Sequence, residues 1–117
     1  MAKRIVIADN DDEWLSLIAL DLKLEGHDVV AAVASGADAL ASCDELRPDV
    51  LVVDHRMPPG PHGLSVAQTL RVTQPELSII VFSNYEDPVL QRAVDEAGAR
   101  FVLKTNLRAL RRAVSEA

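Results

Sequence analysis

Short apolar runs alternate with stretches of helical periodicity along the whole of this chain, and that alternation limits the fold more than any other feature. The runs Arg4–Ala8, Asp28–Ala34, Asp49–Val53, Leu77–Phe82 and Arg100–Leu103 are too short for helices and rich in Val, Ile or Leu. Strands buried on both faces of a parallel sheet have this composition. The segments between them carry helix punctuation. Leu15, Ile18 and Leu22 fall at i, i+3 and i+7, with Gly26 where a C′ residue belongs. Ser35 with Asp38 resembles a capping box that opens a second helix. A third helix is expected from about Leu64 to Thr73, stopped by Pro75. Asp87-Pro88 places a capping acid before a proline at the first helical position, and Val89, Ala93 and Ala97 then repeat every fourth residue. Leu107, Leu110 and Val114 form the last stripe. The pattern is (βα)5, which with right-handed crossovers predicts an α/β, doubly wound, five-stranded parallel sheet.

At 117 residues and 49% apolar content, the chain has material for one domain with one core, spanning 1–117. Aromatic residues make up only 3%, so Val, Leu, Ile and Ala must build that core. The formal charge of −6 argues against direct nucleic-acid binding by the domain as a whole. The C-terminal stretch runs the other way: Arg100, Lys104, Arg108, Arg111 and Arg112 stand against the single acid Glu116. Cys43 is alone, which rules out an internal disulfide and suits an inert packing residue. Nothing resembles a signal peptide or a membrane span, and a cytoplasmic protein without membrane contact is expected.

Two of the strands end in acids. Val50-Leu51-Val52-Val53 runs into Asp54 and then a loop too rich in proline and glycine to be helical, His55 to Gly63. Ile5-Val6-Ile7-Ala8 runs into Asp9-Asn10-Asp11-Asp12. In open α/β sheets ligands bind outside the carboxyl ends of the strands, where strand order reverses. Strands one and three would flank that crevice. Acids delivered to one edge can hold a hard cation, and a free carboxylate beside a cation can accept a phosphoryl group.

Five separated segments, in order and covering essentially the whole chain, resemble the receiver domains of two-component response regulators. They are Ile5–Asn10; Asp49–Asp54 with Arg56-Met57-Pro58 and Gly63-Leu64; Ile79–Ser83; Ala97-Gly98-Ala99; and Phe101–Lys104. The resemblance implies a flavodoxin-like fold with strand order 2-1-3-4-5 and Mg2+-dependent phosphoryl transfer from a sensor histidine kinase to Asp54. It assigns the metal to Asp9, Asn10, Asp54 and the backbone oxygen of Arg56. Lys104 would pair with a phosphoryl oxygen, Ser83 would hydrogen-bond another after moving inward, and Phe101 would fill the space vacated. The implied output is a changed surface on the fourth helix, fifth strand and last helix. That face would meet a downstream partner, the chain's own output domain in a longer regulator, or a second copy. Arg108, Arg111 and Arg112 suit an acidic partner there.

The chain departs from the family's common form at several points. Asn10 stands where a second acid is usual, the loop after Asp54 is one residue longer, and Asn84 replaces a small residue after the switch hydroxyl. Thr105 follows Lys104 where proline is frequent, and the Gly98–Phe101 segment is about one residue short.

Plainer roles compete for some residues. Asp54 alone could be a strand end or a helix cap, Lys104 a surface lysine, and Phe101 core packing. Asp11, Asp12 and Glu13 suit a helix N-terminus. His55 and His62 read as solvent-exposed loop residues, His27 as a turn residue, and Trp14 as a core-edge anchor. Two rivals remain to the switch. One is a receiver-like interaction module that is poorly phosphorylated, marked by Asn10 and Asn84. The other is a flavodoxin-like cofactor binder, which would need a Gly-rich phosphate loop where this chain has acids.

Overall fold

A computed structural model describes residues 2–117. Five strands, β1 (Arg4–Ala8), β2 (Asp28–Val33), β3 (Val50–Asp54), β4 (Ser78–Ser83) and β5 (Arg100–Leu103), form one sheet in the order β2-β1-β3-β4-β5. All four pairings are parallel. Helices α1 (Asp12–Leu24), α2 (Gly36–Leu46), α3 (Gly63–Thr73), α4 (Pro88–Glu96) and α5 (Leu107–Ser115) fill the connections. The topology and fold class are those the sequence predicts. β1 and β5 have the predicted bounds, β2 ends one residue earlier, and β3 and β4 are displaced by one residue at both ends.

Side chains alternate across the strands, so the sheet builds two cores. Ile5, Ile7, Val50, Val52, Ile80 and Phe82 face Ile18 and Leu22 of α1 and Leu110 and Val114 of α5. Val6, Ala8, Leu51, Val53 and Val81 face Ala39 and Cys43 of α2, Val66 and Leu70 of α3, and Leu90 and Val94 of α4. Truncating any of the fully buried Leu or Ile residues to Ala should cost about 2–5 kcal/mol. Cys43 lies inside the second core, where burial pushes its thiol up to about 12.

The helix ends follow the sequence signals. Asp11, Ser35 and Asp87 each accept backbone N–H bonds as N-caps. Gly26, at φ +90°, closes α1 with the paired bonds Gly26 N–H to Lys23 O and His27 N–H to Leu22 O. His27 also accepts the Lys3 N–H on Nδ1, a tie beyond its turn role. The expected α4 stripe needs correction. Val89 is 80% exposed, and Leu90, Val94 and Ala97 face the core. Among the described residues no helix is long and apolar enough to cross a membrane.

Candidate functional site

The chain leaves β1 toward β2 on one side of the sheet and reaches β3 on the other, so β1 and β3 are neighbours at the switch point. Asp9 follows β1 and Asp54 ends β3. Ser83 ends β4, and Lys104 follows β5, where its N–H donates to Ser83 O at 2.7 Å. All four therefore lie at the carboxyl edge of the sheet. Each is buried: Asp9 1%, Lys104 3%, Ser83 5% and Asp54 8% exposed.

Their contacts are specific. Lys104 Nζ stands 2.7 Å from Asp9 Oδ2 and 3.2 Å from Asp54 Oδ1. The other Asp9 oxygen, Oδ1, accepts the Asp11 N–H at 2.9 Å, so Asp9 is held by the start of α1 as well as by the lysine. Two carboxylates share one ammonium, which leaves a buried net charge of −1 when all three are ionised. Burial pushes the Asp54 carboxyl up, the Asp9 charge adds to this, and Lys104 pulls it back.

Above this trio opens a cleft of about 450 Å³, lined by Asn10, Asp54, Arg56, Ser83 and Lys104 among others. The structure thus brings together the residues the sequence singles out, with Asp9 directly against Lys104. Asn84, next to Ser83, also lines the cleft. Phe101 does not line it. It pairs with Val81 in the β4–β5 ladder and packs, partly buried, against the core under α2, α3 and α4. The Ser83 hydroxyl donates to Tyr85 O at 3.4 Å, and its oxygen lies 3.3 Å from the Tyr85 N–H.

The oxygen-bearing residues at this edge could suit a hard cation. Asp9 and Asp54 could supply carboxylates, Asn10 an amide oxygen and Arg56 a carbonyl, while no group of three or more His, Cys, Asp or Glu side chains gathers among the described residues. Mg2+ is characteristically held by one or two carboxylates and keeps several waters, which suits a site with two buried acids and an open mouth. The two loop histidines differ in their surroundings. His62 accepts the Met57 N–H on Nδ1 at 3.0 Å and so ties the loop. His55, expected in solvent, is half-buried with Nδ1 enclosed and without a hydrogen-bond partner. Burial, with His62 and Arg56 nearby, lowers its pKa.

Trp14 has a larger part than its sequence reading as a core-edge anchor. It packs partly on the α1–α5 core but also lines the cleft, meets Phe82 edge-on at 6.1 Å, and presents its ring 5.3 Å from Lys104 Nζ. Tyr85 and Asp87 are further cleft residues that the sequence reading does not anticipate. The available signal for Trp14 was its place in the first turn after an acidic strand end, which points a side chain back toward that edge.

Known proteins resemble this chain along most of its length. A family model described as response regulator receiver domain matches residues 5–115. The oxygen regulatory protein NreC of Staphylococcus haemolyticus is 34% identical over 103 residues, which are 86% of this chain and 48% of NreC. The transcriptional regulatory protein PrrA of Mycobacterium tuberculosis is 36% identical over 96 residues, 82% of this chain and 40% of PrrA. The chain thus spans less than half the length of these relatives. Among solved structures, the signal receiver domain of NarL from Mycobacterium tuberculosis superposes with a TM-score of 0.83 at 30% identity, covering 88% of this chain and 84% of that one. The isolated receiver domain of RcsB from Salmonella enterica serovar Typhimurium, in the presence of phosphomimetic BeF3−, gives 0.81 at 26% identity, covering 90% and 79%.

Proposed function

The chain belongs to the response regulator receiver domain family, and we propose that it works as a switch in which Asp54 accepts a phosphoryl group from the phosphohistidine of a sensor histidine kinase. The observation that carries this reading is the single buried ammonium of Lys104 shared by Asp9 and Asp54. An Asp54 carboxylate oxygen attacks phosphorus in line, the P–N bond of the donor breaks, and its electron pair leaves with the imidazole, which regains a proton. The charge that builds on the phosphoryl oxygens has to be neutralised where it develops. Asp9, Asn10 and Asp54, with the Arg56 carbonyl, would hold Mg2+. When bound, Mg2+ supplies the charge that screens the carboxylates from the incoming phosphoryl oxygens.

The remaining residues act on the product. Lys104 can exchange Asp9 for a phosphoryl oxygen by a short side-chain movement, because Nζ already stands 3.2 Å from the Asp54 carboxylate that would carry the group. Ser83 can exchange its Tyr85 partner for another oxygen, which frees the loop after β4. Phe101, half-buried beside β4, is the side chain that would follow, and the surface of α4, β5 and α5 would change with it. A downstream protein or an output domain in a longer chain would read that surface. The relative solved with BeF3− supports the use of such a site for a phosphoryl mimic.

One specific feature favours the second reading, a poorly phosphorylated interaction module. Asn10 removes a charge from the metal site while Asn84 stands at the cleft. Intact-mass measurement after incubation with acetyl phosphate and Mg2+ separates the two. The switch predicts a single phosphoryl adduct that is absent from Asp54→Asn. An unmodified wild type, or an equally labelled variant, would remove the central claim.

A further inference from the structure

The ammonium of Lys104 has two carboxylates and two aromatic rings as neighbours. Trp14 lies 5.3 Å and Phe82 6.0 Å from Nζ, measured to the ring centroids. The two rings meet edge to face, with an interplanar angle of 89°. They brace one another, and Phe82 is itself fixed inside the α1–α5 core. An ammonium stripped of water needs compensation on every side. Here the two acids supply it and the negative faces of the rings add to it.

We infer that Trp14 is a positioning residue for Lys104, holding the ammonium against the two carboxylates so that it meets a phosphoryl group on Asp54 without first being reordered. This role rests on the phosphoryl switch proposed above and adds to it a residue from α1. A flexible lysine stem has several rotamers, and the indole, which lines the same cleft 5.3 Å from Nζ, limits the room for them. A leucine at position 14 would keep apolar contact with the core under α1 but would offer the cation no π face. A phenylalanine would keep a smaller one.

The experiment compares wild type with Trp14→Leu and Trp14→Phe, each also in a Lys104→Ala background, by titration with BeF3− and Mg2+ followed by amide shifts. Trp14→Leu should raise the half-saturating BeF3− concentration roughly three- to tenfold, the scale of an enclosed cation–π contact. Trp14→Phe should recover most of that loss, and with Lys104→Ala present the leucine change should add nothing. Before any ligand is added, the Lys104 Hε resonances should move downfield in Trp14→Leu as the ring current is lost. An equal penalty in the Lys104→Ala background, or Lys104 resonances unmoved by Trp14→Leu, would overturn the positioning role alone. Failure of the wild type to take up either BeF3− or a phosphoryl group would overturn the switch reading, and this role with it.

Discussion

Asp54 carries an ionisation cost in the resting protein, and that cost can be measured without phosphorylation. Its carboxyl is pushed up first by burial and then by the Asp9 charge, against the opposing pull of Lys104. A carboxyl with a raised folded-state pKa adds stability below the ordinary carboxylate value, and that contribution is lost as pH rises through the folded value. Asp54→Asn escapes the loss while leaving Lys104 its pair with Asp9. In metal-free buffer at neutral pH the variant should therefore be more stable by about 1 kcal/mol, a few degrees in Tm. Its advantage should shrink as pH falls into the carboxylate range. Thermal unfolding at several pH values checks this, and an advantage independent of pH would place its cause outside the Asp54 charge. Asn10 is the matching test from the metal side. It lines the cleft, exposed, with an amide where an acid would add one charge. A charge pair at ~4 Å is worth up to about 4 kcal/mol near a surface, much of it offset by desolvation. Asn10→Asp should thus tighten Mg2+ by ~1–2 kcal/mol, or roughly five- to thirtyfold. Titration of both proteins with Mg2+, followed by Trp14 fluorescence, measures the difference. Equal or weaker binding would mean that position 10 does not face the metal. Asp9, Asp54 and Lys104 were legible in the sequence because strand ends in a parallel sheet converge on one edge. The part of Trp14 was not, because an aromatic residue beside a helix cap reads equally well as packing.

Element placement depends on backbone approaches that pattern alone does not reveal. A Cβ on Gly63 would overlap the Asp54 carbonyl oxygen, so the start of α3 rests directly on the end of β3. The Gly63 N–H donates to His55 O at 2.9 Å and fixes that approach. Gly63→Ala should push the phosphoacceptor strand end away and cost about 1–3 kcal/mol, as overpacking does. It should also slow Asp54 labelling at saturating Mg2+. Denaturant unfolding together with intact-mass kinetics tests both, and a fully stable, fully labelled variant would show that α3 can shift freely. The sequence marks Gly63 through its resemblance to a family loop, while the physical need for it emerges only from the contact. α4 shows the opposite limit. Its short sequence holds two overlapping apolar stripes, 89/93/97 and 90/94/97. Leu90 and Val94 carry more apolar area than Val89 and Ala93, so burial of the larger pair sets the rotation of the helix. Regular fourfold spacing was the weaker guide.

Across the whole molecule, the proposed switch has to carry a change at Asp54 to a surface on α4, β5 and α5. The basic residues of that face do not all have the same freedom. Arg111 forks onto Asp21 and ties α5 to α1, and Arg100 pairs with Glu116 at 2.7 Å. Arg108 and Arg112 are exposed and are not among the ion-paired residues described. An acidic partner, or the exposed Asp95 and Glu96 of a second copy, would meet those two arginines and not the three the sequence suggested. Lys104 is the lever that tests the route. Removing its ammonium leaves Asp9 and Asp54 facing each other unneutralised, so Lys104→Ala should be destabilised without metal and recover with Mg2+. At saturating Mg2+ Asp54 should still be phosphorylated, because the cation neutralises the attacking site. The product, however, would lose its link to β5. Amide exchange in α4 and α5 should then differ between phosphorylated and resting wild type but not between the two forms of the variant. Any self-association of activated wild type should weaken as salt rises through the range that screens exposed arginines, and the variant should not associate more on phosphorylation. If the variant responds as fully as wild type, the signal does not pass through Lys104. If association is indifferent to ionic strength, Arg108 and Arg112 do not make the contact.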